Sequence, residues 1–287
     1  MPDERQTKND KRDAARELAR VTREKQKRQD RMRRWLIPTG VTVVVLAIVA
    51  IVVLVVTNSA PPPQSAAGPK NMISDGILFT GGSGTMAATT TGAVKASSTP
   101  TPHDQASDGV AHIVTYVDFS CPACQAFEAT NAETIRSMVE QGAATLEVHP
   151  IAILDSHFTA GSLYSTRANN VAACVANFAP DKFYDVMEAM YTGQGTEGTA
   201  GLSNGQMASL VHGAGLKNGD VDKCISGVTF KPWVTAATSR ALAGPLPNTT
   251  VSAVTGTPTV LVNGQQYGGS LTDGSAFTAF VQQALAG

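Results

Sequence analysis

Four cysteines are the residues of this chain best equipped for chemistry, and two of them stand in the run Cys121-Pro122-Ala123-Cys124. Two thiols three positions apart lie one helical turn from each other, close enough to bridge. The spacing alone admits a redox pair, a structural disulfide, or half of a zinc site. Zinc would call for a second closely spaced pair of ligands. What favours redox chemistry is the placement. The run Ala111-His112-Ile113-Val114-Thr115-Tyr116-Val117-Asp118 before it is rich in strand formers, and residues 121–141 after it read as a helix ending at Gly142. A cysteine at a helix start faces unpaired N–H groups and the positive end of the macrodipole, which favour its thiolate. Cys121 is therefore expected to be the attacking and leaving sulfur. Cys124 is expected to be the buried, resolving thiol. Pro122 suits the first helical turn, where no N–H is needed.

The other two cysteines, Cys174 and Cys224, are 50 positions apart on separate expected helices. They fit a structural disulfide, with two buried free thiols as the alternative. Asp118, three residues before Cys121, either tunes the thiol pair or merely ends its strand. His149 reads as a packed core histidine. His112, His157 and His212 show no metal-ligand spacing, and neither a metal nor a cofactor is expected. Tyr184, Met187, Met190 and Tyr191 form a helical stripe that reads as core, with a peptide groove as the minority reading.

These residues sit in a chain of 287, with 43% hydrophobic and 16% charged residues. That is material for a sizeable core, and it excludes a wholly disordered protein. The net charge of −1 hides an asymmetry: residues 1–34 hold 13 Lys/Arg against 7 Asp/Glu, and residues 58–287 hold 9 against 16. Residues 36–57 carry no charge over 22 positions, about 33 Å of helix and enough to cross a bilayer. Arg31, Arg33, Arg34 and Trp35 precede this run, so its N-terminus is expected inside and the rest outside. The expected organisation is a basic cytoplasmic tail at 1–35, a transmembrane helix at 36–57, a flexible linker at 58–110 and a globular domain at 111–287. The apolar run at 76–80 is the one candidate edge strand in the linker. The basic tail is read as a topological signal, and no nucleic acid is expected as a partner.

Within the globular domain the pattern is α/β. Residues 145–153 read as a second strand, completing a β-α-β unit. Helical periods without a good strand follow, giving an insert over about 155–250. Then come Pro258-Thr259-Val260-Leu261-Val262 as a strand, Asn263-Gly264 as a hairpin turn, and a last helix capped by Asp273 or Ser275.

The Cys121-Pro122-Ala123-Cys124 run after Asp118-Phe119-Ser120, with Gly256-Thr257-Pro258-Thr259 opening a late strand, resembles the DsbA-like branch of the thioredoxin superfamily. The likeness is to its membrane-anchored actinobacterial members and covers residues 111–287. It implies a thioredoxin fold with a helical insertion, an extracytoplasmic thiol–disulfide oxidoreductase, and a cis Pro258. It also implies that Thr257 faces the two sulfurs and offers its backbone to extended substrate. The implied substrates are thiols of exported proteins. The implied reoxidant is a quinone-linked membrane oxidase of the vitamin K epoxide reductase-like or DsbB-like kind. Two positions depart from the common pattern. Thr115 stands where many thioredoxin-type enzymes have a buried acid, and Ala123 stands where the strong oxidant of this group has histidine, so Pro122 and Ala123 tune the potential in an unstated direction. The rival readings are a reductase or isomerase of the same fold, and a non-catalytic anchored module that binds peptides.

Overall fold

The computed structural model describes residues 67–105 and 109–286. All of them belong to one compact unit, Pro61–Gly287. The expected tail at 1–35, the span at 36–57 and the start of the linker lie outside the described residues. Among the described residues no helix is long and apolar enough to cross a membrane.

The centre of the fold is a six-stranded sheet. Its strands in chain order are β1 (Ile77–Gly82), β2 (Thr85–Ala88), β3 (Ala111–Val117), β4 (Ala144–Pro150), β5 (Thr259–Val262) and β6 (Gln265–Gln266), laid side by side as β2-β1-β4-β3-β5-β6. β3 and β4 run parallel, joined through helix α1 (Pro122–Glu140); every other pair is antiparallel. All seven residues of β3 are buried, as a strand covered on both faces requires. Alternation divides them. Ile113 and Val117 enter the large core shared with the helices, while Val114 and Tyr116 enter a smaller core on the opposite face with Leu246, Val254 and Leu261. The register is set by pairs such as Ile113↔Leu146 and Ile113↔Val262. Asn263 and Gly264 both have positive φ (48° and 74°), the geometry a two-residue hairpin needs.

Between β4 and β5 lie five helices: α2 (Tyr164–Phe178), α3 (Phe183–Thr192), α4 (Asn204–Gly213), α5 (Gly219–Gly227) and α6 (Lys231–Ala243). They stand where the helical periods place them. α2 is the most deeply buried and packs against α3, α5 and α6. Its Cys174 forms a disulfide with Cys224 of α5, at a Cα–Cα distance of 5.8 Å. Asn170, one turn earlier, accepts from the Phe230 N–H (2.8 Å) and so holds the α5–α6 turn against α2. Helix α7 (Gly274–Ala286) closes the chain. Its cap is Asp273, whose Oδ1 accepts from the Ala276 N–H at 3.0 Å.

The linker expectation needs correcting over residues 67–105. This stretch is part of the fold. Met72, Ile77 and Phe79 are buried in the large core. β1 pairs with β4 on one side and β2 on the other, so β1 is an inner strand and β2 is the edge. Asp75 accepts from Trp233 Nε1 at 3.0 Å and from Arg240 Nε and Nη2 at 2.6 and 2.8 Å. Asn71 donates to the Ala176 carbonyl at 2.8 Å. A Gly-, Ser- and Thr-rich composition argues against independent folding, but the few apolar side chains and paired polar groups suffice when a finished sheet edge is there to receive them.

Candidate active site

Helix α1 is built to present Cys121. Residue 121 is the N-cap (φ −87°, ψ 119°), Pro122 follows at the first helical position, and the Cys124 N–H donates to Cys121 Sγ at 3.4 Å. The buried stripe of α1 starts at Cys124 and continues through Phe127, Glu128, Asn131, Ile135 and Val139. Ala123 and Met138 lie half-buried at the margin of this stripe. This facing places Cys124 fully inside (0% exposed) and Cys121 at the rim (5%).

Thr257 and Pro258 lie in the loop that opens β5, and the Thr257 carbonyl, 136 positions away in sequence, meets Cys121 there. The Cys121 thiol donates to the Thr257 carbonyl at 3.3 Å, and the Thr257–Pro258 peptide bond is cis. The two thiols are both free and strongly unequal. The Cys124 side chain is the main influence that lowers the Cys121 thiol. The Thr257 hydroxyl, buried and with no other partner among the described residues, and the Ala123 and Cys124 N–H groups add to it. They outweigh burial and bring Cys121 down to about 6. Burial pushes Cys124 the other way, well above the ordinary thiol range, and its neighbour Cys121 adds to that rise. The two thiols are thus driven in opposite directions, Cys121 down and Cys124 up.

Asp118 directly follows β3 and is completely buried. Its carboxylate accepts six hydrogen bonds. Ser120 N–H and Oγ and Asn169 Nδ2 reach Oδ1 at 2.9, 2.7 and 3.1 Å. The Ile153 and Leu154 N–H groups and Ser165 Oγ reach Oδ2 at 2.9, 3.2 and 2.5 Å. The active-site turn, the exit from β4 and the start of α2 are tied together at this one side chain. Burial still raises the Asp118 carboxyl, with the hydrogen bonds from Ser165 and Ser120 opposing. Asp118→Ala is expected to cost about 3 kcal/mol or more, because it strands several buried donors at once. Asp118→Asn, which keeps one accepting oxygen, should cost clearly less; urea denaturation of the two variants checks the order.

Four contributors to this site carry no sequence signal. Gln194, past the end of α3, donates through Nε2 to the carbonyls of Phe119 and Cys121 at 3.1 and 3.2 Å and pins the turn from outside. Gln125 Nε2 donates to the Tyr191 carbonyl at 2.6 Å and fixes α1 to α3. Ser165 and Asn169 act through Asp118. None belongs to a motif; only the tertiary fold brings them in. Cys174 and Cys224, in contrast, lie apart from this site, in the insert. The histidines are paired elsewhere: His149 stacks on Tyr116 (centroids 4.5 Å apart) beside Glu147, His157 meets Glu197, and His212 meets Asp222. Among the described residues no group of three or more His, Cys, Asp or Glu is placed to hold a metal.

Known structures share this architecture. Reduced DsbA of Mycobacterium tuberculosis is 24% identical, with a TM-score of 0.52, covering 74% of this chain and 93% of its own. Oxidised BdbD of Bacillus subtilis is 16% identical (TM-score 0.52; 78% of this chain, 100% of its own). MdbA, a thiol–disulfide oxidoreductase of Corynebacterium diphtheriae, is 15% identical (TM-score 0.52; 78% and 95%). At these identities the likeness is one of fold: a thioredoxin-type sheet with the DsbA-like helical insertion. A comparison with curated proteins finds no match. The family signature called Thioredoxin matches residues 106–283, which take in both the cysteine pair and the Thr257–Pro258 loop. Over that span, and so over most of its length, the chain belongs to the thioredoxin family.

Proposed function

We propose that the chain is an extracytoplasmic thiol–disulfide oxidoreductase that introduces disulfides into exported proteins through Cys121 and Cys124. The observation that carries this reading is the inequality of the two thiols. Cys121 caps helix α1, lies at the rim against the Thr257 carbonyl and is brought down to about 6, while Cys124 is buried and pushed up. A low-pKa thiolate is a good leaving group, so a disulfide through Cys121 gives itself up readily.

In the forward direction a substrate thiolate attacks Cys121 Sγ. The Sγ–Sγ bond breaks, its electron pair goes to Cys124 Sγ, and Cys124 takes up a proton. A second substrate thiolate then attacks the substrate sulfur of the mixed disulfide, and Cys121 leaves as a thiolate. The substrate loses two electrons and the cysteine pair gains them. The Thr257 backbone, beside Cys121, aligns an extended substrate, and Pro258 shapes the loop that presents it. The DsbA and MdbA names of the similar structures support this activity. The uncharged run at 36–57 behind a basic tail supports an anchor in the cell membrane, with lipid as the partner of that segment and the domain outside. A quinone-linked membrane oxidase would return the pair to the disulfide.

The test mixes the oxidised full chain with a reduced, unfolded client bearing two thiols. Client thiols should disappear as Cys121 and Cys124 thiols appear, pair for pair, and a membrane-impermeant thiol reagent should label Cys121 in intact cells. A client that stays reduced beside an unchanged Cys121–Cys124 disulfide would overturn the assignment.

A further inference from the structure

A cavity of about 440 Å³ lies between the sheet and helix α6. Tyr116 of β3 and His149 of β4 line it from the sheet. Tyr116 belongs to the smaller core, on the face of the sheet opposite the core that holds Cys121 and Cys124. The cavity is therefore separate from the thiol pair. Its volume matches about 15 waters at about 30 Å³ each and falls in the range of small-molecule sites.

Most of the lining is apolar and stiff. Pro100 and Pro102 come from the chain before β3, Pro245 and Pro247 from the loop after α6, and Ala237 and Ala241 from α6 itself. Walls that are already rigid cost little to order around a ligand. On the sheet side the Tyr116 and His149 rings are stacked, with centroids 4.5 Å and planes 25° apart. Ring faces of this kind pack well against another flat ring.

The polar groups narrow the ligand further. Arg240 and Asp75, both at the cavity, hold each other through two hydrogen bonds of 2.6 and 2.8 Å, and Asp75 also accepts from Trp233. Glu147, beside His149, is met by Ser74, His103 and His149. These charges are matched within the protein, so a charged ligand would lose its water without gaining a counterion. Tyr116 is different. It is 4% exposed, and no described residue hydrogen-bonds to its hydroxyl. Buried tyrosine hydroxyls ordinarily have a partner. Burial, with Glu147 and Asp75 adding, raises this hydroxyl, so it keeps its proton and remains a donor.

We propose that this cavity is a binding site for an uncharged aromatic ketone of one or two rings. The ligand's carbonyl oxygen accepts a hydrogen bond from the Tyr116 hydroxyl, and its rings pack among the prolines. The site is a function apart from thiol exchange and does not rest on it.

The test titrates the full chain with three probes of one skeleton, followed by ligand-observed NMR. 1-Indanone is neutral and carries a carbonyl, indane lacks the oxygen, and indane-1-carboxylate is an anion. 1-Indanone should saturate one site per chain, at least about tenfold tighter than the carboxylate. Tyr116→Phe removes only the hydroxyl. It should weaken 1-indanone about fivefold and leave indane unchanged. Ala243→Trp, at an exposed lining position, should abolish saturable binding of both. Urea denaturation shows that each variant is folded, and Tyr116→Phe should keep the midpoint of the unaltered chain. No saturable binding of 1-indanone to the unaltered chain would overturn the site, as would binding that Tyr116→Phe and Ala243→Trp both leave unchanged. Indane-1-carboxylate binding as tightly as 1-indanone would overturn the ligand class.

Discussion

Cys121→Ala is expected to abolish thiol exchange with client proteins, a loss of about 1,000-fold or more, whereas Cys124→Ala should accumulate clients joined to Cys121. The two outcomes differ because the two sulfurs differ. Removing Cys121 removes the one sulfur of the pair that a client reaches. Removing Cys124 leaves Cys121 as a lone thiolate that attacks a client disulfide, one client sulfur leaving as a thiolate, and deletes the neighbouring thiol that could attack Cys121 Sγ and expel the client. The second variant has a further consequence. The Cys124 side chain is the main influence lowering the Cys121 thiol to about 6, so in Cys124→Ala the Cys121 thiolate should titrate higher than in the intact pair. Ultraviolet absorbance of the thiolate during a pH titration reads this directly. The same depression favours the reduced protein. A thiol whose folded pKa lies below its unfolded value contributes stability that is complete above the unfolded pKa, near 9, and is lost as the pH falls through about 6. At pH 7 this amounts to at most about 1.4 kcal/mol, equivalent to about 30 mV toward a more oxidising pair, with solvent screening reducing it.

The second large effect belongs to the insert. Replacing both Cys174 and Cys224 by Ala should cost about 4 kcal/mol in urea denaturation, because the bridge closes 50 residues and that loop entropy returns to the unfolded chain. Both must go together, since one alone leaves a buried free thiol. The Cys121 titration should stay in place in the double variant, since the groups that set it are Cys124, Thr257 and Ala123. A loss under about 1 kcal/mol would mean that the helices α2 and α5 are held by packing alone.

How far the sequence reaches is seen in particular residues. The strand before Cys121, the helix after it and the five helices of the insert all follow from hydrophobic period, because each buries a stripe of its own. Cys121 and Cys124 are legible because their roles depend on local spacing and on a helix terminus. Thr257 and Pro258 are legible only through the likeness to a known pattern; nothing local says that a loop 136 positions downstream meets Cys121. Residues 67–105 are misread because their order comes from a partner. Phe79 and Met72 cannot make a core among glycines and serines, but they complete one when β4 offers an open edge. Gln194 and Glu128 are invisible for a related reason. Glu128 has the composition of an exposed helical residue, and only the packed fold shows it buried on the same stripe as Cys124.

The reduction potential of Cys121–Cys124 in the full chain bears most directly on the assignment as an oxidase. Equilibration in glutathione buffers, with mass tagging to separate this pair from Cys174 and Cys224, provides it. A value toward the oxidising end of the superfamily, about −120 mV, is the predicted result. A value near −270 mV would make the dithiol the working form and contradict the account, leaving a reductase in its place.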